Sequence, residues 1–465
     1  MLLTRFDPSS FSLAAWLCLL ASVFLAVRRP AANALLSLTL VGIGTAPLVG
    51  DVSAARLSAV VAVASLVSLL RPSGRRRSRV ALQSLARSPL LWFTGLCLLV
   101  LLKILIETVV YGLDSARAAS LEVGLAQCVF PLSVVLLALA RDGREATARD
   151  LLTGMIVFPV LMVAGYLPFA IEEGLMQATW FGTERFQFGP ADPINTARVL
   201  TYGVLALLMW LSARRRYSLP LQVGIAALAS AMLVLLLLTG TRQFVLAVAW
   251  IPVVWTWSGT RVTLLRRAGQ ALVILGLLGT AFWVVSERSL VFGERVSTTA
   301  LSTEMATGRG VVWTEALQAL LEHPVLGAGF KNFGEDKFVG VGRFGADVVV
   351  RTSAHGVLQD VFTEHGLLLG ILFVVGVVQL LARIWMHLRE ERAFTAERAV
   401  TILLLMLLTP LLFSGTFLNA TPLFLLLVFV MAKDGAVPAE CAPRGVAARW
   451  LVGRGPGAGR LTRWR

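Results

Sequence analysis

The sequence predicts an all-α protein: a polytopic membrane helix bundle of about 12–13 transmembrane helices with one long, partly helical loop on its outer side. Three observations predict it. Apolar runs of about 17 to 22 residues recur along the chain, the length a helix needs to cross a hydrocarbon core of ~30 Å; FSLAAWLCLLASVFLAV, LLTGMIVFPVLMVAGYLPFAI and AGQALVILGLLGTAFWVVS are typical. Basic residues fall at alternate loops between these runs. One non-membrane segment, from Glu287 to Ser353, is far longer than the others.

The charge pattern sets the topology. Of 465 residues, 42 are Lys or Arg and 27 are Asp or Glu, a net charge of +15. The excess is clustered in RPSGRRRSR, RDGREATARD, SARRRYS, TRVTLLRR and the tail from Lys433, every second loop. Such alternation follows the positive-inside rule and puts these loops in the cytoplasm. A nucleic-acid partner is therefore not expected. Parity assigns Ile171 to Ile194, the turn Thr239 to Arg242 and the long segment to the outside, and makes the N-terminus external. The expected organisation is N-terminal membrane helices over 1–286, the long loop with an amphipathic helix over 287–354, C-terminal membrane helices over 355–432 and a basic tail over 433–465.

Cys18, Cys97 and Cys128 lie in membrane runs and Cys441 in the tail, so no disulfide framework is expected outside. The first apolar run lacks the basic region and small-residue cleavage site of a secretory signal. No internal repeat and no nucleotide-binding glycine loop is present, which argues against ATP-driven transport.

Charged residues in or beside the bilayer are costly to place there and mark candidate functional positions. Arg242 sits in LVLLLLTGTRQFVLAVAWIPVVW, a stretch too long for one span, so TGTR reads as a tight outer turn. There it either snorkels to lipid phosphates or meets an anionic ligand, and its position against the charge bias of the chain favours the ligand. Lys103 and Glu107 stand four residues apart on one helix face and read as a self-neutralising pair that orients the helix. Arg198 follows the helix-breaking Pro193 and either lines a site or anchors the helix at the interface.

Within the long loop, RGVVWTEALQALLE spaces Trp313, Leu317, Leu320 and Leu321 as an amphipathic helix that lies on the membrane or caps the bundle. These residues read as packing rather than ligand contacts. Pro324 ends the helix, and GAGFKNFG supplies a glycine turn with Phe330 and Phe333. Arg309 opens the helix among free backbone N–H groups that attract anions. Further on, RTSAHGVLQDVFTEHGLLLG passes from polar loop to apolar run. Ser353 is the expected N-cap, which puts His355 in the first turn, where the helix dipole favours neutral imidazole. Gly366, eleven residues on, falls on the His355 face of a continuous helix at about 100° per residue. His365 and Glu364 point elsewhere.

The order and spacing of these pieces resemble the O-antigen ligase and O-antigen polymerase superfamily of bacterial surface-polysaccharide proteins. The resemblance rests on Thr239-Gly240-Thr241-Arg242; on Gly308, Arg309, Trp313, His323, Pro324, Gly327, Gly329, Phe330 and Phe333; and on His355, Leu358, Glu364 and Gly366. It covers residues 190 to 415 with motif support and rests before that on span count. Two departures concern the ligase pattern: Gly356 follows the histidine where many members have Asn, and Leu369 holds a position that is commonly glycine, the glycine coming at Gly370.

The resemblance implies metal-independent glycosyl transfer, with no cofactor, on the periplasmic face of the bacterial inner membrane. The donor it implies is an undecaprenyl-diphosphate-linked oligosaccharide or polysaccharide, and the acceptor a glycan or lipid. Membrane lipids and a chain-length regulator protein are the further partners it implies. By the same carry-over His355 is the candidate general base, and Arg242 and Arg309 bind the pyrophosphate. A polymerase is favoured over a ligase because the histidine element departs from the ligase pattern. A reading from another class, a secondary transporter of a small anion, would use the outer arginines and the Lys103–Glu107 pair, but the chain shows no related halves.

Overall fold

The computed structural model describes residues 85–110, 129–173, 193–213, 218–239, 303–330, 356–390, 395–414 and 417–434, together with Thr241, short pieces between 21 and 67, and parts of 177–186 and 337–350. Nine longer helices account for most of them. They are α1 (Leu91–Val110), α2 (Phe130–Asp142), α3 (Arg144–Glu173), α4 (Pro193–Ala213), α5 (Leu219–Leu238), α6 (Thr303–Glu322), α7 (Val357–Glu390), α8 (Ala396–Ser414) and α9 (Thr421–Asp434). The described residues also form three two-stranded antiparallel pairs: β1–β2 (Pro47–Val49, Val52–Ser53) before α1, β3–β4 (Gln177–Ala178, Glu184–Arg185) between α3 and α4, and β5–β6 (Lys337–Val341, Asp347–Val350) between α6 and α7. The protein is a helical membrane bundle. Among the described residues four helices, within α1, α3, α5 and α7, are long and apolar enough to cross a bilayer. The other expected spans fall in α2, α4, α8 and α9 or outside the described residues.

Local chemistry sets the helix ends. Gly143 adopts φ 84° between α2 and α3 and returns its N–H to the Leu139 carbonyl, so one helix stops and the next starts within a residue. Ser218 precedes Leu219-Pro220 at the start of α5, where proline loses nothing because the first N–H groups have no helical partner. The start of α8 is capped twice. Thr395 Oγ1 accepts the Arg398 N–H at 3.1 Å, and the Glu145 carboxylate from α3 accepts the N–H groups of Ala396 and Glu397 at 3.3 and 3.2 Å.

One end of the bundle is held by charge: Asp434 takes His387 Nε2 at 2.9 Å and Ser88 Oγ at 3.3 Å, joining α9, α7 and the approach to α1. Midway, an aromatic chain runs through Phe93, Phe373, Phe417 and Phe424, with edge-on ring contacts of 5.5, 5.8 and 5.4 Å. Gly376 lies flat against the Phe93 ring, where a Cβ would overlap it. These contacts fix α1 and α7 side by side, and at their other end that pair carries the site.

Candidate functional site

The centre of the site is a break in a membrane helix. Gly366 interrupts α7 with φ 86° and ψ 173°, a conformation essentially reserved for glycine. The break frees backbone groups that would be costly unpaired at membrane depth. The segment after α6 supplies their partners: Ala328 N–H donates to Thr363 O at 2.8 Å, Gly329 N–H to Glu364 O at 3.2 Å, and Leu367 N–H to Pro324 O at 2.8 Å. Gly327, at φ 72°, and Gly366 allow the two backbones to meet. A Cβ on Gly327 would strike the Glu364–His365 peptide, and one on Gly366 would strike the Val325 carbonyl. The HPVLGAGF stretch is thus inserted into α7 as a missing strip of backbone.

Lys103 and Glu107 of α1 hold that junction. Their own ion pair is 3.1 Å long. Lys103 Nζ also donates to Leu326 O at 2.5 Å and Glu364 O at 2.7 Å, and lies 3.4 Å from His365 Nδ1. Glu107 accepts the Phe330 N–H at 2.7 Å. Charge-assisted hydrogen bonds of this kind contribute about 1.5–3 kcal/mol each when little exposed. The pair therefore bridges α1, the loop and α7 rather than neutralising only itself. Lysine has three N–H donors and one carboxylate does not use them all; that arithmetic was the signal in the sequence.

His365 is fully buried beside Lys103. An ammonium can only donate, so Nδ1 is the acceptor and the ring proton is on Nε2. That nitrogen has no hydrogen-bond partner among the described residues, with Glu364 Oε2 at 3.9 Å. His365 is part of the junction and not a bystander.

Several expectations change here. The α7 helix starts at Val357, and the Gly356 carbonyl accepts its first bond, from Asp360 N–H at 2.8 Å. Gly356, not Ser353, is therefore the cap position, and the first turn begins after His355. A Cβ at Gly356 would meet the tip of the Gln359 side chain, which would have to move aside. Gly366 breaks the helical phase, so the eleven-residue spacing to His355 does not put both on one face. Trp313, Leu317 and Leu321 of α6 are exposed, while Ala316 and Ala319 pack with Ala328. The small residues face protein because they allow close approach, and the large apolar face suits lipid. The β5–β6 hairpin within the long loop had no counterpart in the sequence reading.

The proposed site residues are placed unevenly. His355 and Arg242 lie outside the described residues. Arg309 falls on α6, and its side chain lies outside them too. Arg198 is buried on α4, 5% exposed, one turn from the buried Tyr202. Thr239 closes α5 through Oγ1 to Leu236 O at 2.6 Å and also accepts the Thr241 N–H at 3.3 Å. Leu238 O accepts the Phe186 N–H at 3.1 Å, tying the TGTR turn to the segment after β4.

Residues 225–374 match the family model described as O-antigen ligase. Over that segment the chain is similar to the O-antigen ligase family. The O-antigen ligase match runs from within α5 to the middle of α7 and so contains the TGTR turn, α6, the inserted HPVLGAGF segment and the break at Gly366. The family supports membrane glycosyl transfer in surface-polysaccharide assembly. No curated protein matches the chain. Among the described residues no cluster of His, Cys, Asp or Glu could hold a metal ion.

Proposed function

We propose that the protein is a surface-polysaccharide polymerase of the bacterial inner membrane, transferring glycan on the periplasmic face from an undecaprenyl-diphosphate donor. The observation that supports glycosyl transfer is the family match over residues 225–374; the choice of polymerase rests on Gly356 and Leu369, where the histidine element departs from the ligase pattern. In this reading His355 takes the proton from an acceptor hydroxyl as that oxygen attacks the anomeric carbon. The bond from that carbon to the diphosphate oxygen breaks, its electron pair leaving with undecaprenyl diphosphate. Arg242 and Arg309 hold the pyrophosphate and stabilise its developing charge, with Arg198 lining the same region. Direct displacement inverts the anomeric centre.

A second reading, transfer of the glycan to lipid A-core or another acceptor, is favoured by the description of the matching family as O-antigen ligase. Deleting the gene and analysing surface glycan separates the two. Single repeat units on the surface mean a lost polymerase. Full-length chains stranded on the lipid carrier mean a lost ligase, and unchanged glycan defeats both.

A further inference from the structure

We propose that Lys103 and Glu107 are positioning residues for the transfer reaction, a latch that holds the loop helix at a fixed distance from the helix that follows His355. The inference rests on the transferase reading for its kinetic consequence, and on contacts alone for the latch. Three separate pieces of chain meet at the pair. From α1 come the two charges, 3.1 Å apart. The loop offers Leu326 O to Lys103 and Phe330 N–H to Glu107, at 2.5 and 2.7 Å. From α7 comes the Glu364 carbonyl at 2.7 Å, freed by the break two residues later.

The consequence follows from what each piece carries. The loop continues directly from α6, whose end is tied by His323 N–H to Ala319 O and by Gly327 N–H to His323 O, at 3.0 and 2.9 Å. Arg309 stands on α6, so seating the loop seats the backbone of that arginine. The first nine residues of α7, between Gly356 and the break at Gly366, run from Val357 to His365. With the latch closed, α6 and this short arm of α7 share one backbone junction and cannot slide independently. Loosening it leaves α6 and its loop joined to the two arms of α7 at Gly366 by the three backbone hydrogen bonds alone, so α6 and α7 can shift relative to each other. His365, fully buried with Nδ1 3.4 Å from Lys103 Nζ, packs into the same junction.

The test uses the full-length protein in nanodiscs, in a background lacking the four native cysteines. Spin labels at Gln318→Cys on α6 and Val378→Cys on α7, both exposed, report the separation of the two helices. Lys103→Met and Glu107→Ala are expected to broaden a single narrow distance distribution. Glu107→Gln, whose amide oxygen can still accept the Phe330 N–H, is expected to broaden it less. With a lipid-linked glycan donor, Lys103→Met is expected to lower kcat roughly 10- to 100-fold while KM changes less than about 3-fold, because small misplacements of reacting groups act on the chemical step. An unchanged narrow distribution in both Lys103→Met and Glu107→Ala overturns the latch. A broadened distribution with wild-type kcat overturns the positioning role. If the wild-type protein consumes no lipid-linked glycan, the transferase reading fails, while the distance measurements still decide the latch.

Discussion

Lys103 Nζ, on one membrane helix, donates to the backbone carbonyl of Glu364 on another at 2.7 Å, two residues before that second helix breaks. A cation on a carbonyl at a helix break satisfies the end of the first segment, as a basic residue does at a helix C-terminus. The junction around it depends on glycines, on a capped neighbour and on close ring packing, and each is open to test.

Gly366→Ala should destabilise the protein by about 1–3 kcal/mol, since alanine at φ 86° and ψ 173° is strained before any contact is counted. The Val325 carbonyl also occupies the space of the new methyl. Thermal unfolding in detergent is the measurement, and an unchanged midpoint would mean that α7 can straighten at no cost.

Glu145→Ala removes the carboxylate that caps α8 from α3, and with it the partners of two backbone N–H groups. The expected loss is about 1 kcal/mol, typical of a helix N-cap. Arg149→Ala removes an exposed ion pair to the same carboxylate but leaves the cap in place, and should shift the midpoint little, as surface pairs do. Equal shifts for the two variants would show that the charge pair, not the cap, carries the effect.

Gly376→Leu forces a branched side chain into the Phe93 ring that α7 lies against. Overpacking of this kind costs about 1–3 kcal/mol, and Phe93→Ala in the same chain should recover part of it by opening the space. No recovery in the double variant would separate the Gly376 effect from this contact.

His355→Ala should reduce glycan transfer about 10²- to 10⁴-fold, the range expected for loss of a general base. Arg309→Ala should weaken both donor binding and the chemical step. Both need assay in folded, inserted protein with a lipid-linked donor. Wild-type rates in both variants would remove these residues from the mechanism.

The sequence by itself determined the class of the protein. Apolar run length and alternating loop charge are properties of local composition, and they predict membrane helices without any knowledge of packing. The motif residues from Gly240 to Gly366 were legible in the same way, because their order along the chain resembles that of one superfamily, and the family match falls on the same segment. Tertiary structure decided how these motifs are used. Lys103 and Glu107 satisfy each other on paper, since i, i+4 spacing shows a pair but not the carbonyls that approach from residues 326 and 364. Gly366 looks like a small residue on a continuous helix until the loop backbone at Val325 takes the place a Cβ would fill. Trp313, Leu317 and Leu321 mark an amphipathic helix that could lie on the membrane or cap the bundle, and only the structure puts the alanines on the other side of α6 against protein. In each case the missing information was long-range: which backbone groups are left unpaired, and which distant segment comes to pair them.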